Sequence, residues 1–292
     1  MTALAKTIIA TGVTSGIGFE AIKQLLAAKQ PYRVILGARN AKSAQEAYQG
    51  LGYDASTHEV TVLPLELADL RGVGTFAQQA LAKVGPGPVD YLILNAGISD
   101  PAGDKPNPRG SKWCEAHVVN HLSQHYLTHL LRDKLTESGA RLVFVSSGAV
   151  RMVKEPEVLD EDLLAGSGKP SMTTYPQTKF VNFLAAQWWR RELAGQCSVV
   201  AVSPGLIPNT GLGRGSGMKF DMSMPDAKTV PEGAASVLAA LTRDDLPEDP
   251  EQNFLTSWGE WWPKDVYELA LDKKLQDKWC LSKEEIEREE GL

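Results

Sequence analysis

Tyr175 and Lys179 lie four positions apart, a spacing that suggests a catalytic pair. On a helix the two side chains share one face, so the lysine ammonium can approach the phenol and favour its ionised form. Tyrosine ordinarily ionises near pH ~10, and we expect the pKa of Tyr175 to fall beside such a charge. The pair would then serve as a general acid and base. An i,i+4 pair on a solvated helix surface is the alternative.

Two more polar residues could complete a catalytic group. Ser147 closes an apolar run typical of a strand, and Asn120 interrupts an otherwise apolar helical segment. A buried asparagine needs hydrogen-bond partners, so a cap or a core hydrogen bond is the ordinary explanation for Asn120. A proton-relay role requires the other three residues nearby. Pro176 is tolerated only in the first turn of a helix, which predicts that Thr173 or Thr174 caps this helix.

A glycine-rich turn follows the first apolar run of the chain and opens onto a helical segment. Its glycines follow the spacing G-x-x-x-G-x-G. Without a Cβ the backbone can approach a phosphate, and a helix N-terminus offers free N–H groups and partial positive charge. A turn without a ligand is the alternative. The residues predicted to form a pyrophosphate site are Gly12, Thr14, Ser15, Gly16, Ile17 and Gly18.

The second predicted strand ends at Gly37-Ala38-Arg39-Asn40, where a dinucleotide fold meets the adenosine ribose. An acidic residue there accepts from a 2′-hydroxyl, whereas an arginine suits a 2′-phosphate. Because no Asp or Glu occurs in these four positions, Arg39, with Asn40 beside it, favours NADP(H) over NAD. The positive charge of an oxidised nicotinamide would add to that of Lys179 in favouring the phenolate of Tyr175. A plain surface arginine is the alternative.

Apolar strand-like runs alternate with helical patterns along most of the chain. Such alternation indicates βαβ units and a parallel sheet covered on both faces. We predict an α/β fold, a Rossmann-type doubly wound parallel sheet of about seven strands in a three-layer αβα arrangement, as a single domain over residues 1–292. The predicted strands are residues 7–10, 33–38, 60–65, 91–95, 141–145, 198–202 and 254–256. The predicted helices include 112–135, one near 174–193 and an amphipathic terminal one in 273–290.

Composition excludes several classes of function. The net charge of −6 and the pI near 5.5 come without a concentrated basic run, which argues against a nucleic-acid partner. Cys114, Cys197 and Cys280 are far apart and form no C-x-x-C, so neither a disulfide framework nor a metal site is expected. No apolar stretch is long enough to cross a membrane, and the N-terminus is unlike a signal peptide. We therefore expect a cytoplasmic protein without a membrane partner.

Together these residues resemble the classical short-chain dehydrogenase/reductase family over residues 6–210. The glycine turn matches the family's cofactor turn, Asn95-Ala96-Gly97 matches its N-A-G motif, and its catalytic tetrad corresponds to Asn120, Ser147, Tyr175 and Lys179. The resemblance implies that Tyr175 protonates the substrate oxygen, while Lys179 holds the nicotinamide ribose and lowers the pKa of the tyrosine. It also implies that Ser147 orients the carbonyl and that Asn120 holds a relay water.

The same resemblance implies further cofactor contacts. Glu66 and Leu67 occupy the place where the family usually has an aspartate near the adenine, so Glu66 would reach the adenine differently. The residues that resemble the family's contact to the nicotinamide carboxamide are Pro204, Gly205, Ile207 and Thr210.

The spacing between Ser147 and Tyr175, 28 positions, is longer than is common in the classical family. The extra segment, 151–172, resembles the retinol dehydrogenase and protochlorophyllide reductase branch, and the tryptophan-rich tail, 257–292, resembles fungal members. We expect residues 98–111, 151–172 and 206–228 to cover a substrate pocket. The tryptophans at 258, 261 and 262 would join this cover or, alternatively, belong to the core or an interface.

Together these expectations predict an NADPH-dependent carbonyl reductase, whose reaction can also run in reverse as the oxidation of an alcohol. Its substrate would be a ketone or aldehyde of mid-sized hydrophobic or aromatic character, in secondary metabolism. Two alternatives stay open. The same site could reduce a C=C or C=N bond, or the chain could be a non-catalytic NADP(H)-sensing protein that docks partners through its acidic tail. The family resemblance also implies a homodimer or homotetramer, although the tail could cover or create such an interface.

Overall fold

Seven parallel strands form one sheet in the order β3-β2-β1-β4-β5-β6-β7. The structure is a computed structural model that describes residues 4–208, 210–214 and 220–292. Ile8 of β1 lies beside Val34 of β2 on one side and Tyr91 of β4 on the other. The strand order reverses between β1 and β4, where a doubly wound sheet leaves a crevice at the carboxyl ends of its strands. The predicted architecture and strand number are confirmed. The strands are β1 (Lys6–Thr11), β2 (Tyr32–Ala38), β3 (Glu59–Pro64), β4 (Tyr91–Leu94), β5 (Arg141–Val145), β6 (Ser198–Val202) and β7 (Phe254–Leu255).

Helices cover both faces of the sheet, because alternate strand residues point to opposite sides and both sets are apolar. Ile8 packs with Val237 of α8 on one face, whereas Ile9 shares the other face with Phe76 of α3 and Phe183 of α7. None of the helices in the described ranges is both long and apolar enough to cross a membrane. The helices of these layers are α1 (Gly16–Leu26), α2 (Ala41–Gln49), α3 (Leu70–Val84), α4 (Glu115–His117), α5 (Ser123–Ser138), α6 (Leu159–Asp162), α7 (Ser171–Glu192) and α8 (Val230–Thr242).

The helix predicted over residues 112–135 begins later and is not uniform. It starts at Glu115, continues as a π-helical stretch at Val118–Leu122 and becomes α5. The predicted start is wrong because the preceding residues pair with the extra segment instead. Trp113 forms an antiparallel bridge with Leu164, and the Cys114 N–H donates to the Leu163 carbonyl at 2.9 Å.

Helix α7 begins at Ser171, so Pro176 lies beyond its first turn and the predicted position of this proline is wrong. Neither threonine caps the helix with its side chain. The Thr174 hydroxyl donates instead to the Asp100 carbonyl at 2.8 Å, which ties α7 to the 98–111 segment. Pro176 removes the N–H that would have bonded the Met172 carbonyl. Packing of α7 therefore overrides the local preference of proline for a helix start.

Two of the segments expected to cover the pocket are joined to each other by backbone hydrogen bonds. The Ala102 N–H donates to the Lys169 carbonyl and the Gly168 N–H to the Gly103 carbonyl, both at 2.9 Å. The buried carboxylate of Asp162 accepts from Gln177 of α7 at 2.7 Å. Residues 98–111 and 151–172 thus form one connected wall on α7.

The terminal segment folds as two helices rather than the single predicted one. Helix α9 (Lys273–Trp279) and helix α10 (Lys283–Glu290) are separated because Ser282 caps the second helix in a reciprocal pair with Glu285. Trp279 and Ile286 are buried, so the expected docking through apolar side chains is confirmed. The tail packs on α5 and α7.

Candidate active site

A cleft of about 1450 Å³ opens at the carboxyl ends of the central strands. It collects residues that are far apart in the chain, because each follows a parallel strand or lies on α7. Asn40 and Asn120 are the predicted site residues that do not line it. Those that do are Gly12, Thr14, Ser15, Gly16, Ile17, Gly18, Arg39, Glu66, Leu67, Asn95, Ala96, Gly97, Ser147, Tyr175, Lys179, Pro204, Gly205, Ile207 and Thr210.

The glycine turn brings three backbone segments into contact. Gly12 has a φ of 66°, a conformation that favours glycine. A Cβ at Gly12 would stand 2.4 Å from the Ala96 Cα, and one at Gly18 would stand 2.3 Å from the Gly12 carbonyl oxygen. Ser15 precedes α1 without capping it through its side chain. The first N–H groups of α1 are therefore available to an anion at the floor of the cleft.

Asn95 fastens this turn to the end of β4. Its Nδ2 donates to the Gly12 carbonyl at 2.6 Å, while its buried Oδ1 has no hydrogen-bond partner in the described part of the chain. Thr11 supports the same junction, since its hydroxyl accepts from the Ala96 N–H at 3.2 Å and donates to Gln124 at 3.1 Å. A buried acceptor without a partner on the cleft wall suits a ligand that carries donor groups. The cradle and this acceptor fit the phosphate and hydroxyl groups of a dinucleotide.

The two residues predicted beyond β2 separate. Arg39 lines the cleft and is exposed, whereas Asn40 turns away, because its Oδ1 accepts from the Ser43 N–H at 3.0 Å and caps α2. Asn40 does not line the cleft, and its expected contact with a cofactor stays a prediction. Glu66 does line the cleft, although its Oε1 accepts from the Ala68 N–H at 3.1 Å and so folds back on its own turn.

Ser147, Tyr175 and Lys179 form the polar centre of the cleft. The Ser147 hydroxyl hydrogen-bonds to the Tyr175 phenol. Lys179 Nζ lies 5.9 Å from the Tyr175 ring centroid on the same face of α7 and donates to the Val145 carbonyl at 2.9 Å. A Cβ at Gly97 would stand 3.0 Å from Lys179 Nζ, so the glycine leaves room for the ammonium.

Burial controls the protonation of both titratable groups. It raises the pKa of Tyr175 to about 12, against a smaller opposite effect of the hydrogen bond from Ser147. It lowers the pKa of Lys179 to about 8. The expected fall in the tyrosine pKa is not found in the chain by itself, because loss of solvent around the phenolate outweighs the hydrogen bond from Ser147. A phenol that keeps its proton is suited to donate it.

Asn120 lies behind the cleft wall and is 0% exposed. Its Oδ1 accepts from the Ile98 N–H at 2.8 Å, and its Nδ2 donates to the Ile98 carbonyl and to the Thr178 hydroxyl, both at 2.9 Å. The side chain therefore fixes the residue after Gly97 and ties it to α7. The implied role in holding a relay water stays a prediction.

The far wall of the cleft comes from the loop after β6. A Cβ at Gly205, where φ is 89°, would stand 2.8 Å from the Lys228 side chain. Thr210 lies against the glycine turn, because a Cβ at Gly16 would meet its side chain at 3.7 Å. Leu212, Phe220 and Pro225 also line the cleft. Residues 209 and 215–219 of the expected cover lie outside the described residues.

The sequence predicted several residues that line the cleft only as part of longer segments and did not identify them individually. Arg151, Met152 and Met172 belong to the extra segment and the start of α7, and Glu115 was not singled out at all. The expectation that tryptophans cover the pocket is wrong, because none of Trp258, Trp261 and Trp262 is among the described residues that line the cleft. Trp262 instead stacks on Phe254 with ring centroids 4.7 Å apart. Its alternative role as a core residue is the observed one.

Comparison with known proteins agrees with this geometry. A model of the short chain dehydrogenase family matches residues 6–157. A short-chain dehydrogenase/reductase of Pestalotiopsis microspora is 55% identical over 287 residues, which cover 97% of this chain and 98% of that protein. Mouse retinol dehydrogenase 12 is 28% identical, with 95% of this chain and 85% of that protein covered. The crystal structure of an NADPH-bound carbonyl reductase from chicken fatty liver has the same fold, with a TM-score of 0.66, 21% identity and coverage of 88% and 98%.

The likeness to the retinol dehydrogenase branch and to a fungal relative is therefore confirmed, together with the oxidoreductase class. The glycine cradle, the Ser147, Tyr175 and Lys179 group and these similarities lead to one conclusion: the chain belongs to the short-chain dehydrogenase/reductase family.

Proposed function

We propose that the protein is an NADPH-dependent reductase of ketones or aldehydes, reversible to oxidation of the corresponding secondary alcohol. The observation that supports this proposal is a single cleft with a glycine cradle at one end and Ser147, Tyr175 and Lys179 at the other. The carbonyl reductase in the solved NADPH complex has the same fold, which makes this chemistry a reasonable one to test.

The residues of the cleft would divide the work as follows. The turn around Gly16 would bind the pyrophosphate, Arg39 the 2′-phosphate and Lys179 the nicotinamide ribose. NADPH, when bound, supplies the hydride. Ser147 would hold the substrate oxygen by a hydrogen bond, and Tyr175 would donate its phenolic proton to that oxygen as negative charge develops there.

The proposed substrate is a mid-sized hydrophobic or aromatic carbonyl compound, used in secondary metabolism. Apolar side chains supplied by three chain segments support this proposal, since such linings suit hydrophobic ligands. They include Val119, Met152, Met172, Leu206, Leu212 and Phe220. The proposed location is the cytoplasm. The proposed assembly is a homodimer or homotetramer, and any interface on the α5 and α7 face would have to include the tail.

Steady-state NADPH oxidation against matched panels of ketones, aldehydes, enones and imines tests the reaction. We expect turnover with carbonyl compounds and a decrease of at least roughly 100-fold in kcat for Tyr175→Phe, which keeps the ring and removes the proton donor. NADPH affinity, measured by the fluorescence of the bound cofactor, should change little in this variant. Turnover of enones or imines alone would assign the site to C=C or C=N reduction. NADPH binding without any turnover would favour the alternative of a non-catalytic NADP(H)-sensing protein.

A further inference from the structure

Three cations line the cleft among the described residues, and one of them has no part in the proposed cofactor site. Arg39 lies at the adenosine end and Lys179 at the ribose position. The third is Arg151, in the one-turn helix Gly148–Met152 that begins directly after Ser147. It therefore stands on the substrate side of the cleft.

The guanidinium of Arg151 is held in place although the residue is exposed. Its Nε donates to the Gly148 carbonyl at 3.1 Å, and its Cζ lies 4.9 Å from the Trp262 ring centroid. Trp262 is itself only 6% exposed. The turn beneath is fixed as well, because the Gly148 N–H donates to the Ser203 hydroxyl at 3.0 Å. A side chain fixed in this way loses little conformational freedom when it binds a ligand.

The terminal nitrogens of Arg151 are left for a ligand. No carboxylate in the described ranges lies within ion-pair distance of this guanidinium. Two acidic residues of the cleft rim have other partners, since Asp226 accepts from the Ser257 hydroxyl at 2.6 Å and Asp221 from the Ser223 N–H at 2.8 Å. With Nε already bonded, Nη1 and Nη2 present a planar edge with two donors, which matches a carboxylate.

We propose that Arg151 anchors a carboxylate on the substrate, so that the enzyme acts on an aromatic or apolar carbonyl compound that carries an acid group. This inference rests on the proposed reductase function. Arg151 Nη2 lies 3.6 Å from the place that a Cβ on Gly148 would take, one residue from the serine that orients the carbonyl. The anchor would fix one end of the substrate while Ser147 and Tyr175 hold the carbonyl. Met152 and Met172 would contact the apolar body between them.

The test compares aldehydes that differ only in charge. The probes are 4-formylbenzoate and 4′-formylbiphenyl-4-carboxylate, the methyl ester of each, and 4-(trimethylammonio)benzaldehyde. For the better carboxylate, the ratio of kcat/KM for acid over ester should fall roughly 10- to 100-fold in Arg151→Gln, mainly through KM. Arg288→Gln is the matched control, because Arg288 is an exposed arginine of α10 that does not line the cleft. Its ratio should equal that of the wild type.

Binding of the inert biphenyl-4-carboxylate to enzyme saturated with NADP+, followed by titration calorimetry, tests the anchor without turnover. We expect Kd to increase roughly 10-fold or more in Arg151→Gln and not in Arg288→Gln. Retained NADP+ affinity shows that the variant is folded. Equal acid-to-ester ratios in wild type and Arg151→Gln, or a wild-type preference for the trimethylammonium probe, would overturn the proposal. If no aldehyde is reduced, the proposed function fails, and the calorimetric comparison still decides whether the carboxylate site exists.

Discussion

Lys179 combines a charge with nearly complete burial, and this makes its protonation state sensitive to pH near the physiological range. The side chain is 3% exposed, and burial lowers its pKa to about 8. Its hydrogen bond to the Val145 carbonyl fixes the amine whether or not it is charged. The strength with which Lys179 holds a ribose hydroxyl should therefore depend on pH above neutrality, because a charged donor makes the stronger hydrogen bond.

We predict that NADPH affinity weakens as the pH rises through about 8, since Lys179 then loses its proton. Kd should increase by up to roughly tenfold per pH unit if one proton is linked to binding. Tyr175 does not titrate in this window, because its pKa is raised to about 12. Titration of cofactor fluorescence from pH 7 to 10 measures the effect. In Lys179→Arg, which keeps its charge, the pH dependence should disappear, and its persistence there would contradict this origin.

Arg39 is expected to determine the choice between the two nicotinamide cofactors. Arg39→Asp replaces an attraction for a 2′-phosphate by a repulsion and offers an acceptor to a 2′-hydroxyl. The ratio of kcat/KM for NADPH over NADH should fall roughly 100-fold or more. Lys29→Asp makes the same change in charge at an exposed position outside the cleft and serves as the control. An unchanged ratio in Arg39→Asp would remove this arginine from cofactor recognition.

At the scale of secondary structure, the π-helical stretch before α5 positions the floor of the cleft. The wider turn frees the Asn120 carbonyl, which accepts from Asn182 of α7 at 3.0 Å. The Asn120 side chain points towards β4 and holds both backbone groups of Ile98. A local irregularity in one helix thus connects α7 with the strand end that carries Gly97.

Asn120→Ala is expected to lower the free energy of unfolding by about 3 kcal/mol, because it removes three hydrogen bonds of a fully buried amide and leaves two partly buried backbone groups of Ile98 unpaired. It should also reduce kcat/KM by roughly 10-fold or more, since the cleft floor loses its support. Urea unfolding and NADPH oxidation measure the two effects. Asn253→Ala is the control, because Asn253 is also a buried amide, hydrogen-bonded to Val199 and Gln187, but lies outside the cleft. A similar loss of stability without loss of activity is expected there, and the same result for Asn120→Ala would contradict its positioning role.

The sequence predicted the strands within a few residues because continuous apolar runs have few other arrangements. The cleft residues at strand ends followed directly from that topology. The π-helical stretch was not predictable from local sequence, because the carbonyl of Asn120 that it frees has its partner in Asn182, 62 positions away. The start of α7 was mispredicted because a rule for isolated helices treats Pro176 as a start signal, whereas packing of the neighbouring segments extends the helix to Ser171. The fixed position of Arg151 could not be predicted from the sequence, because Trp262, on which its guanidinium stacks, is distant in the chain.

At the scale of the whole molecule, four histidines connect the centre of the fold to its C-terminal tail. His117, His121, His125 and His129 repeat every fourth residue and form a column of neighbouring rings. We call them the histidine column. His121 Nε2 lies 2.9 Å from the Trp279 carbonyl, and His125 Nε2 lies 2.8 Å from the Leu281 carbonyl. The spacing was visible in the sequence, but its partners more than 150 positions away were not.

The hydrogen bonds define the charge state of this column. Trp189 Nε1 donates to His125 Nδ1 at 2.9 Å, so in the neutral ring the proton of His125 is on Nε2 and is donated to the tail. Burial lowers the pKa of His121 to about 4, and burial lowers the pKa of His129 to about 4 as well. Burial and neighbouring histidines hold the pKa of His117 and His125 well below the usual range. The folded protein therefore keeps the column neutral at pH values where an unfolded chain would protonate it.

We predict that the free energy of unfolding falls as the pH is lowered from about 6.5 towards 4. The unfolded chain binds more protons than the folded chain in this window, so stability is fully present above the unfolded pKa and is lost on acidification. Each unit of pKa depression contributes about 1.4 kcal/mol, which amounts to several kcal/mol for the column. Urea unfolding followed by tryptophan fluorescence at pH 7, 6 and 5 measures the slope.

His121→Gln separates this titration from packing, because glutamine can still donate to the Trp279 carbonyl but does not bind a proton in this range. Its unfolding free energy should decline less steeply with falling pH than that of the wild type. Gln276→Ala is the control, because it removes a buried hydrogen bond of the tail, to the Ala270 carbonyl at 2.9 Å, without removing a group that titrates in this range. Its slope should follow the wild type. Identical slopes for His121→Gln and the wild type would show that the acid sensitivity arises elsewhere. A slope flattened only in His121→Gln would identify this histidine as a source of the acid sensitivity.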